Sequence, residues 1–114
     1  MKLTVKQLGT KKYDVKTTNK NMRSMFALQL TMAKADDIDG LEPQEQVQRS
    51  YDMLNQVLDF ITSVLKLSEA DAKKLDALEF GETVEVANYI MARMMGLSDE
   101  DIDLAAKNDQ KSQA

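Results

Sequence analysis

One stretch of this sequence, residues 43–67, carries two apolar rows at helical spacing. The first row contains Val47, Tyr51, Leu54, Leu58, Ile61 and Leu65, and the second contains Met53, Val57, Phe60, Val64 and Leu67. Because successive residues of a helix are about 100° apart, the two rows lie side by side and cover about half of its circumference. A surface helix that packs on one core needs only a single stripe. The stretch therefore predicts either a central helix buried within its own domain, or a helix that packs inward with one row and meets a partner with the other.

The remaining sequence predicts a mostly α (α+β) fold, with a short N-terminal β-hairpin followed by four to five helices, two of them long. Apolar and polar residues alternate in KLTVKQL and KKYDVKT, on either side of Gly9-Thr10, which indicates a hairpin over residues 2–17. Capping residues and apolar periodicity predict helices over residues 19–34, 43–67, 69–78, 82–95 and 99–106, with Phe80-Gly81 as the break before the fourth. We expect one domain over residues 1–106 and a polar, disordered tail over residues 107–114.

The residue types available to this chain restrict its chemistry. It contains no cysteine and no histidine, which leaves neither the usual zinc ligands nor a histidine general base. Asp99, Asp101 and Asp103 match the opening of a calcium-binding loop, but Leu104 and Gln110 stand where that loop needs glycine and glutamate. The glycines are isolated and form no phosphate-binding loop. We therefore expect no enzyme and no catalytic, cofactor-binding or metal-binding residues. A carboxylate-based hydrolase, the leading enzyme alternative, lacks a recognisable acid pair.

The charge of the chain is unevenly distributed. Residues 1–23 carry seven bases and one acid, a net +6, whereas residues 24–114 carry eight bases and eighteen acids, a net −10. This split is either ordinary solvating charge or a polarity that lets the basic end of one molecule meet the acidic face of another, and the second interpretation predicts a homo-oligomer. We expect no nucleic-acid partner, because the helix at 82–95 offers phosphates a single cation, Arg93. We expect no membrane interaction, since no run approaches about 20 apolar residues.

Methionine is frequent in this chain, with eight residues. Such side chains usually fill a core, but their flexibility also suits a surface that must adapt to different apolar partners. Together with the second row of the long helix, they give more apolar helical surface than a domain of this size needs. The residues predicted to bind a partner are Met53, Val57, Phe60, Val64, Met91, Met94 and Met95.

The sequence resembles a known family in two stretches, KLTV…KKYDVKTT near the N-terminus and YDMLNQVLDFITSVLKLSEADAKKLDALEFGETVEVANYIMARMMGLSDEDI further on. Both are similar to the small tail assembly chaperones of long-tailed, siphovirus-type bacteriophages that infect Gram-positive hosts. Most of residues 1–106 fall within the resemblance. The family is characterised by the order and pattern of its elements and not by a catalytic motif, so the resemblance transfers no site residue.

The resemblance implies a non-enzymatic protein of the host cytoplasm that is absent from the mature virion. It implies two partners: the phage tape-measure protein, whose apolar helices the chaperone keeps soluble, and the major tail protein, whose subunits polymerise into the tube around it. The residues by themselves support a wider class, a small, mostly helical interaction protein of a reducing cytoplasm. Within that class the alternative is a small acidic helical regulator or inhibitor that acts by protein–protein binding.

Overall fold

The computed structural model describes residues 1–35, 37 and 39–104. The elements follow in the order β1 (Lys2–Thr4), β2 (Lys12–Asp14), α1 (Asn19–Ala35), α2 (Pro43–Leu65), α3 (Glu69–Asp76) and α4 (Phe80–Met94). Residues 99–104 are helical again. The predicted mostly helical fold with an N-terminal hairpin is confirmed. The tail predicted over residues 107–114, and the end of the helix predicted over residues 99–106, lie outside the described residues. No helix in the described part of the chain is long and apolar enough to cross a membrane.

The two strands form an antiparallel pair in which Leu3 lies opposite Tyr13. Each strand contains only three residues, so the connection between them is longer than the two-residue turn expected from the sequence. Within it the N–H of Leu8 donates to the carbonyl of Val5 over 2.9 Å, and both side chains are buried. A two-stranded hairpin is marginally stable in water. The hairpin is therefore stabilised by the apolar side chains that it adds to the core.

α1 and α2 form an antiparallel helical hairpin. α1 begins after Thr18, whose Oγ1 accepts a hydrogen bond from the N–H of Asn21 at 3.2 Å, as an N-cap threonine does. Further along α1, the hydroxyl of Thr31 donates to Oε1 of Gln56 on α2 at 2.6 Å. Pro43 lies at the start of α2, as the sequence predicts, because the first turn of a helix does not need its missing N–H.

α2 ends at Leu65, before the predicted end at residue 67. Lys66 adopts a left-handed backbone conformation with a φ of 54°, and the N–H of Leu67 donates to the carbonyl of Thr62 at 3.1 Å. This arrangement gives partners to carbonyls that a helix end otherwise leaves free. Glycine is the usual residue at such a position. Because a lysine occupies it here, nothing in the sequence marks the end of the helix.

α4 begins earlier than predicted, and Phe80-Gly81 form its first turn instead of a break. Just before them, the N–H of Glu79 donates to Oε1 of Glu82 at 3.5 Å. This contact gives a partner to a backbone N–H at the N-terminal end of the helix. The helix therefore starts at the residue after Glu79, and a glycine is tolerated in the turn that follows.

The core lies between α1, α2, α4 and the hairpin. Its buried apolar side chains are Leu3, Val5, Leu8, Tyr13, Val15, Met25, Leu28, Val57, Phe60, Ile61, Val64, Leu65, Leu75, Val86, Ala87, Ile90, Met91 and Met94. In α2 these residues lie between Val57 and Leu65 and come from both predicted rows, whereas Val47 and Tyr51 of the first row are exposed. The C-terminal half of α2 is thus the buried central helix of the first interpretation, and its N-terminal half keeps an exposed apolar face.

Candidate partner-binding surface

The structure divides the seven residues predicted to bind a partner into buried and accessible ones. Val57, Phe60, Val64, Met91 and Met94 belong to the core, and each is at most 5% exposed. Met53 is half-buried, and Met95 is 62% exposed. Five of the seven therefore stabilise the fold in this conformation, and partner binding through them stays a prediction that requires the core to open. Most of the accessible apolar surface lies elsewhere.

An open groove lies along the N-terminal half of α2. With 23 residues α2 is about 35 Å long, whereas α4 has 15 residues and is about 22 Å long, so α4 cannot cover all of α2. The groove at the uncovered end has a volume of about 320 Å³ and is lined by Ala35, Arg49, Ser50, Met53, Leu54 and Phe80. Val47 and Tyr51 extend the apolar side of α2 toward its N-terminus and are 69% and 60% exposed. We call these eight residues the α2 groove.

Arg49 fixes the edge of the α2 groove. Its Nη1 donates to the carbonyl of Asp37 at 2.9 Å and to the carbonyl of Lys34 at 3.4 Å. The last carbonyls of a helix have no partner within that helix, so a guanidinium that reaches them from another helix stabilises the helix end. Arg49 therefore joins the C-terminal end of α1 to α2 and holds Ala35 against the groove.

Acidic side chains border the α2 groove. Glu42 and Glu45 lie at the start of α2, Asp52 lies about two turns further along, and Glu79 and Glu82 lie at the start of α4. Among the residues that the structure describes, none of these five carboxylates forms an ion pair. The groove thus has a mostly apolar lining that includes one cation, Arg49, and it has acidic side chains around it. Such a surface favours an apolar segment that carries cations at its margins.

A polar contact away from the groove joins the hairpin to α3. The hydroxyl of Tyr13 donates to Oδ2 of Asp71 at 2.9 Å, and the ammonium groups of Lys11 and Lys74 lie 3.6 Å and 3.9 Å from the same carboxylate. Burial, reinforced by the neighbouring carboxylate, raises the pKa of Tyr13 to about 12. The hydrogen bond from Tyr13, with the two lysines, lowers the pKa of Asp71. Since every charge here has a partner, the cluster is a structural contact.

A second polar cluster attaches the segment after α4. Oδ1 of Asp99 accepts from the hydroxyl of Tyr89 and from Nη1 of Arg93, both at 2.6 Å, and Nη2 of Arg93 donates to the carbonyl of Lys2 at 3.4 Å. These hydrogen bonds, the one from Tyr89 first, lower the pKa of Asp99. The cluster holds residues 99–104 against α4 and β1. Within the described ranges no group of three acidic side chains gathers closely enough to hold a metal ion.

Comparison with known proteins identifies the family. The sequence model of phage tail assembly chaperone proteins, TAC, matches residues 1–110. The chain belongs to this family. No curated protein and no solved structure matches it. The predicted resemblance is therefore confirmed at the level of the tail assembly chaperones, whereas the siphovirus type and the Gram-positive host stay predictions.

The tail assembly chaperone has a second exposed apolar surface, which lies on α1. Phe26 and Leu30 are 50% and 64% exposed, and Ala33 is exposed on the same side of the helix. Met95 lies beside them, with its Sδ atom 3.5 Å from Nε2 of Gln29 on α1. We call Phe26, Leu30, Ala33 and Met95 the α1 stripe.

Sequence reasoning assigned only one residue of each surface to a partner, Met53 of the α2 groove and Met95 of the α1 stripe, although the α2 groove had a further signal in helix lengths. A helix predicted over residues 43–67 cannot be covered from end to end by one predicted over residues 82–95. The roles of Arg49 and Ser50 could not be found in this way, because they depend on where the end of α1 and the start of α4 meet α2. In the sequence, the α1 stripe is visible only as apolar residues at helical spacing. Core residues of a helix have the same spacing, so the pattern did not show that these residues are exposed.

Proposed function

We propose that this tail assembly chaperone binds apolar helical segments of the phage tape-measure protein, keeps them soluble, and promotes assembly of the tail tube around that protein. Membership of the family supports a role in tail assembly. The open α2 groove is the observation that carries the proposal. Burying apolar surface is the main favourable contribution to folding, so a monomer gains no stability from leaving Val47, Tyr51 and Phe80 at 48–69% exposure.

The dimensions of the α2 groove suit a short helix. The stretch of α2 from Val47 to Leu54 is about 10 Å long, which corresponds to about two helical turns of a partner. A partner helix would enter with apolar side chains three and four residues apart. Met53 gives the site a wall that adapts to different side chains, because methionine is unbranched and polarizable, and Phe80 adds the apolar surface of an aromatic ring. A contact of this size binds weakly and reversibly, as a chaperone that must later be displaced requires.

The proposal also covers where in the cell the chaperone acts and which other proteins it contacts. It acts in the host cytoplasm, contacts the major tail protein as the tube grows, and leaves before the virion matures. It forms homo-oligomers, and the charge split between residues 1–23 and 24–114 supports this part of the proposal. Many linked copies bind a long tape-measure protein more tightly than one copy does, because each further contact becomes intramolecular.

Co-expression with a tape-measure protein of the same phage tests the proposal. We expect wild-type chaperone to raise the soluble fraction of the tape-measure protein. Ser50→Lys should abolish this effect, because it places a long charged side chain in the groove and removes no apolar contact. Asn55→Lys is the matched control on α2: its side chain is exposed outside the groove, and it should act like wild type. The proposal is wrong if the tape-measure protein stays insoluble with wild-type chaperone, or is equally soluble with Ser50→Lys.

A further inference from the structure

We propose that the chaperone binds an acidic segment of a second protein in a lysine-lined pocket at the C-terminal end of α2. The pocket has a volume of about 200 Å³, and three lysines, Lys16, Lys20 and Lys66, line it. We call it the lysine pocket. It is separate from the α2 groove, because none of the described residues that line the pocket belongs to the groove.

Hydrogen bonds hold two sides of the lysine pocket in place. Nδ2 of Asn21 on α1 donates to the carbonyl of Lys16 at 2.7 Å. At the end of α2, the N–H of Lys66 donates to the carbonyl of Ser63 at 3.3 Å, and the neighbouring Val64 is buried in the core. The backbones that carry Lys16 and Lys66 are therefore fixed, and only the lysine side chains have to adjust when a ligand binds.

The charges of the lysine pocket suit carboxylates. Within the described part of the chain, none of its three lysines forms an ion pair. Asp14 also lines the pocket, but its Oδ1 already accepts a hydrogen bond from the N-terminal ammonium of Met1 at 3.1 Å. That hydrogen bond lowers the pKa of Asp14, which stays ionised beside the ammonium. Since Asp14 is paired with Met1, the three lysines are available to the acidic side chains of a ligand.

Lys66 has a backbone conformation that is unfavourable for a lysine. Among the described residues it is the only one other than glycine with a positive φ, at 54°. Glycine avoids the steric cost at such a position because it lacks a Cβ atom. Residues with strained backbones are concentrated at functional sites, where the strain is offset by what the side chain does. A role of its ammonium group in ligand binding explains why a lysine occupies this position.

A protein segment fits the lysine pocket better than a nucleic acid does. Of the described residues that line the pocket none is aromatic, so bases would find no side chain on which to stack. The chain carries a net charge of −4, and Asp14 adds a negative charge at the pocket itself. Both repel the long series of phosphates in a nucleic acid. A short acidic segment interacts mainly with the nearby lysines, because more distant charges are screened by salt.

The position of the lysine pocket allows both ligands to bind at once. Ser50 in the α2 groove and Ser63 in the lysine pocket are about 20 Å apart along the axis of α2. A tape-measure helix in the groove therefore leaves the pocket open, and the chaperone brings the acidic partner close to the tape-measure protein. This bridging rests on the proposed function, whereas binding in the lysine pocket does not.

A short acidic peptide tests the lysine pocket. The ligand is a peptide with blocked ends and three aspartates, and the same peptide with three asparagines is its control. In a titration followed by nuclear magnetic resonance, only the aspartate peptide should shift the backbone amides of residues 14–21 and 62–67. Lys66→Gly should weaken binding by about two- to fivefold, as expected for the loss of one exposed ion pair, although glycine fits this backbone. Lys12→Gln removes the same charge outside the pocket and should bind like wild type.

Three results would overturn the lysine pocket: amide shifts spread equally over other lysines, equal binding by Lys66→Gly and Lys12→Gln, or a short DNA duplex that binds the pocket more tightly than the peptide. Sedimentation of Lys66→Gly identifies the source of the acidic segment. Association like wild type supports a second protein, whereas weaker association means that another copy of the chaperone fills the pocket and the proposal is wrong.

The peptide titration also separates this inference from the proposed function. Ser50→Lys changes the α2 groove and leaves the lysine pocket intact, so it should bind the aspartate peptide like wild type. If the peptide binds in the pocket while wild-type chaperone fails to solubilise the tape-measure protein, the lysine pocket stands and the proposed function is wrong. If wild type solubilises the tape-measure protein but does not bind the peptide, the proposed function stands and the lysine pocket is wrong.

Discussion

The hydroxyl of Tyr13 on β2 donates a hydrogen bond to the carboxylate of Asp71 on α3 at 2.9 Å, across 58 positions of sequence. The two residues are 5% and 8% exposed, so water has little access to the contact. The contact joins a hairpin of three-residue strands to a helix of eight residues. Elements this short are marginal by themselves, and each is therefore stabilised by its attachment to the other.

Removing the Tyr13 hydroxyl should destabilise the chaperone. In Tyr13→Phe the ring still fills the core, but Asp71 loses its buried donor. We expect the free energy of unfolding to fall by about 1.5–3 kcal/mol, the usual contribution of a hydrogen bond to a charged group. Urea unfolding followed by circular dichroism measures it. Tyr51→Phe, at a position that is 60% exposed, is the control and should change the free energy by less than about 0.5 kcal/mol. Equal effects of the two changes would contradict the role of the contact.

The same tyrosine predicts a loss of stability at alkaline pH. The pKa of Tyr13 is about 12 in the folded protein, against about 10 for an ordinary tyrosine. A group whose pKa is raised on folding contributes fully below its unfolded pKa and loses that contribution as pH rises through its folded pKa. The melting temperature should therefore fall between about pH 10 and 12. The melting temperature of Tyr13→Phe should fall less steeply over this range. When phenolate formation is followed by absorbance, the variant should lack the step that occurs at the highest pH in wild type.

Two carboxylates predict a corresponding loss of stability at acid pH. The pKa values of Asp71 and Asp99 are both lowered in the folded protein. Their contribution is therefore present above the ordinary carboxyl pKa of about 4 and is lost as pH falls through the lower, folded values. Melting temperatures measured from pH 7 downward should fall below about pH 4. Asp99→Asn should lower the melting temperature at pH 7 and flatten the acid limb. Asp59→Asn, at an exposed position on α2, is the control and should leave the melting temperature at pH 7 as in wild type.

The sequence predicted the starts of helices better than their ends. Thr18 and Ser68 both accept a hydrogen bond from the backbone N–H three residues later, and such hydroxyl caps are visible in a sequence. The end of α2 at Lys66 was not visible, because nothing distinguishes a lysine in the left-handed conformation from a helical one. The start of α4 at Phe80 was also missed, since glycine next to it suggested a break. Helix boundaries that depend on the type of a residue were predicted from the sequence, whereas those that depend on backbone conformation were not.

The candidate binding surface was predicted less well than the fold. The sequence showed a surplus of apolar helical surface but could not show which part of it the core uses. Val57 and Phe60 were assigned to a partner and lie in the core, whereas Val47 and Tyr51 lie at the other end of the same helix and are exposed. Periodicity reports the face of a helix on which a residue lies. It does not report how far along that helix its neighbours extend, which decides burial here.

The left-handed residue at the end of α2 predicts a stabilising substitution. Lysine at a φ of 54° carries the steric cost of its Cβ atom, which glycine lacks. Glycine also loses more backbone entropy on folding, which offsets part of the gain. We expect Lys66→Gly to raise the free energy of unfolding by roughly 0.5–1 kcal/mol. Lys73→Gly within α3 should lower it by about 1 kcal/mol. Chemical denaturation of both variants checks the two signs, and a destabilised Lys66→Gly would contradict the argument.

Arg49 predicts a local change at the edge of the α2 groove. Its guanidinium reaches the carbonyls of Asp37 and Lys34 from one rigid group. A lysine keeps the charge but has a single, more strongly hydrated donor group, and it cannot reproduce this geometry. We expect Arg49→Lys to lower the free energy of unfolding by about 0.5–1.5 kcal/mol.

The Arg49→Lys change should also be visible in one part of the molecule. Hydrogen exchange of the backbone amides should speed up at the C-terminal end of α1, where the carbonyls of Lys34 and Asp37 lose the Arg49 donor, and stay unchanged in the C-terminal half of α2. Arg23→Lys is the matched control, because its side chain is exposed on α1 and makes none of these contacts. If exchange is unchanged at the end of α1, or rises equally throughout α2, then Arg49 does not hold this edge of the groove.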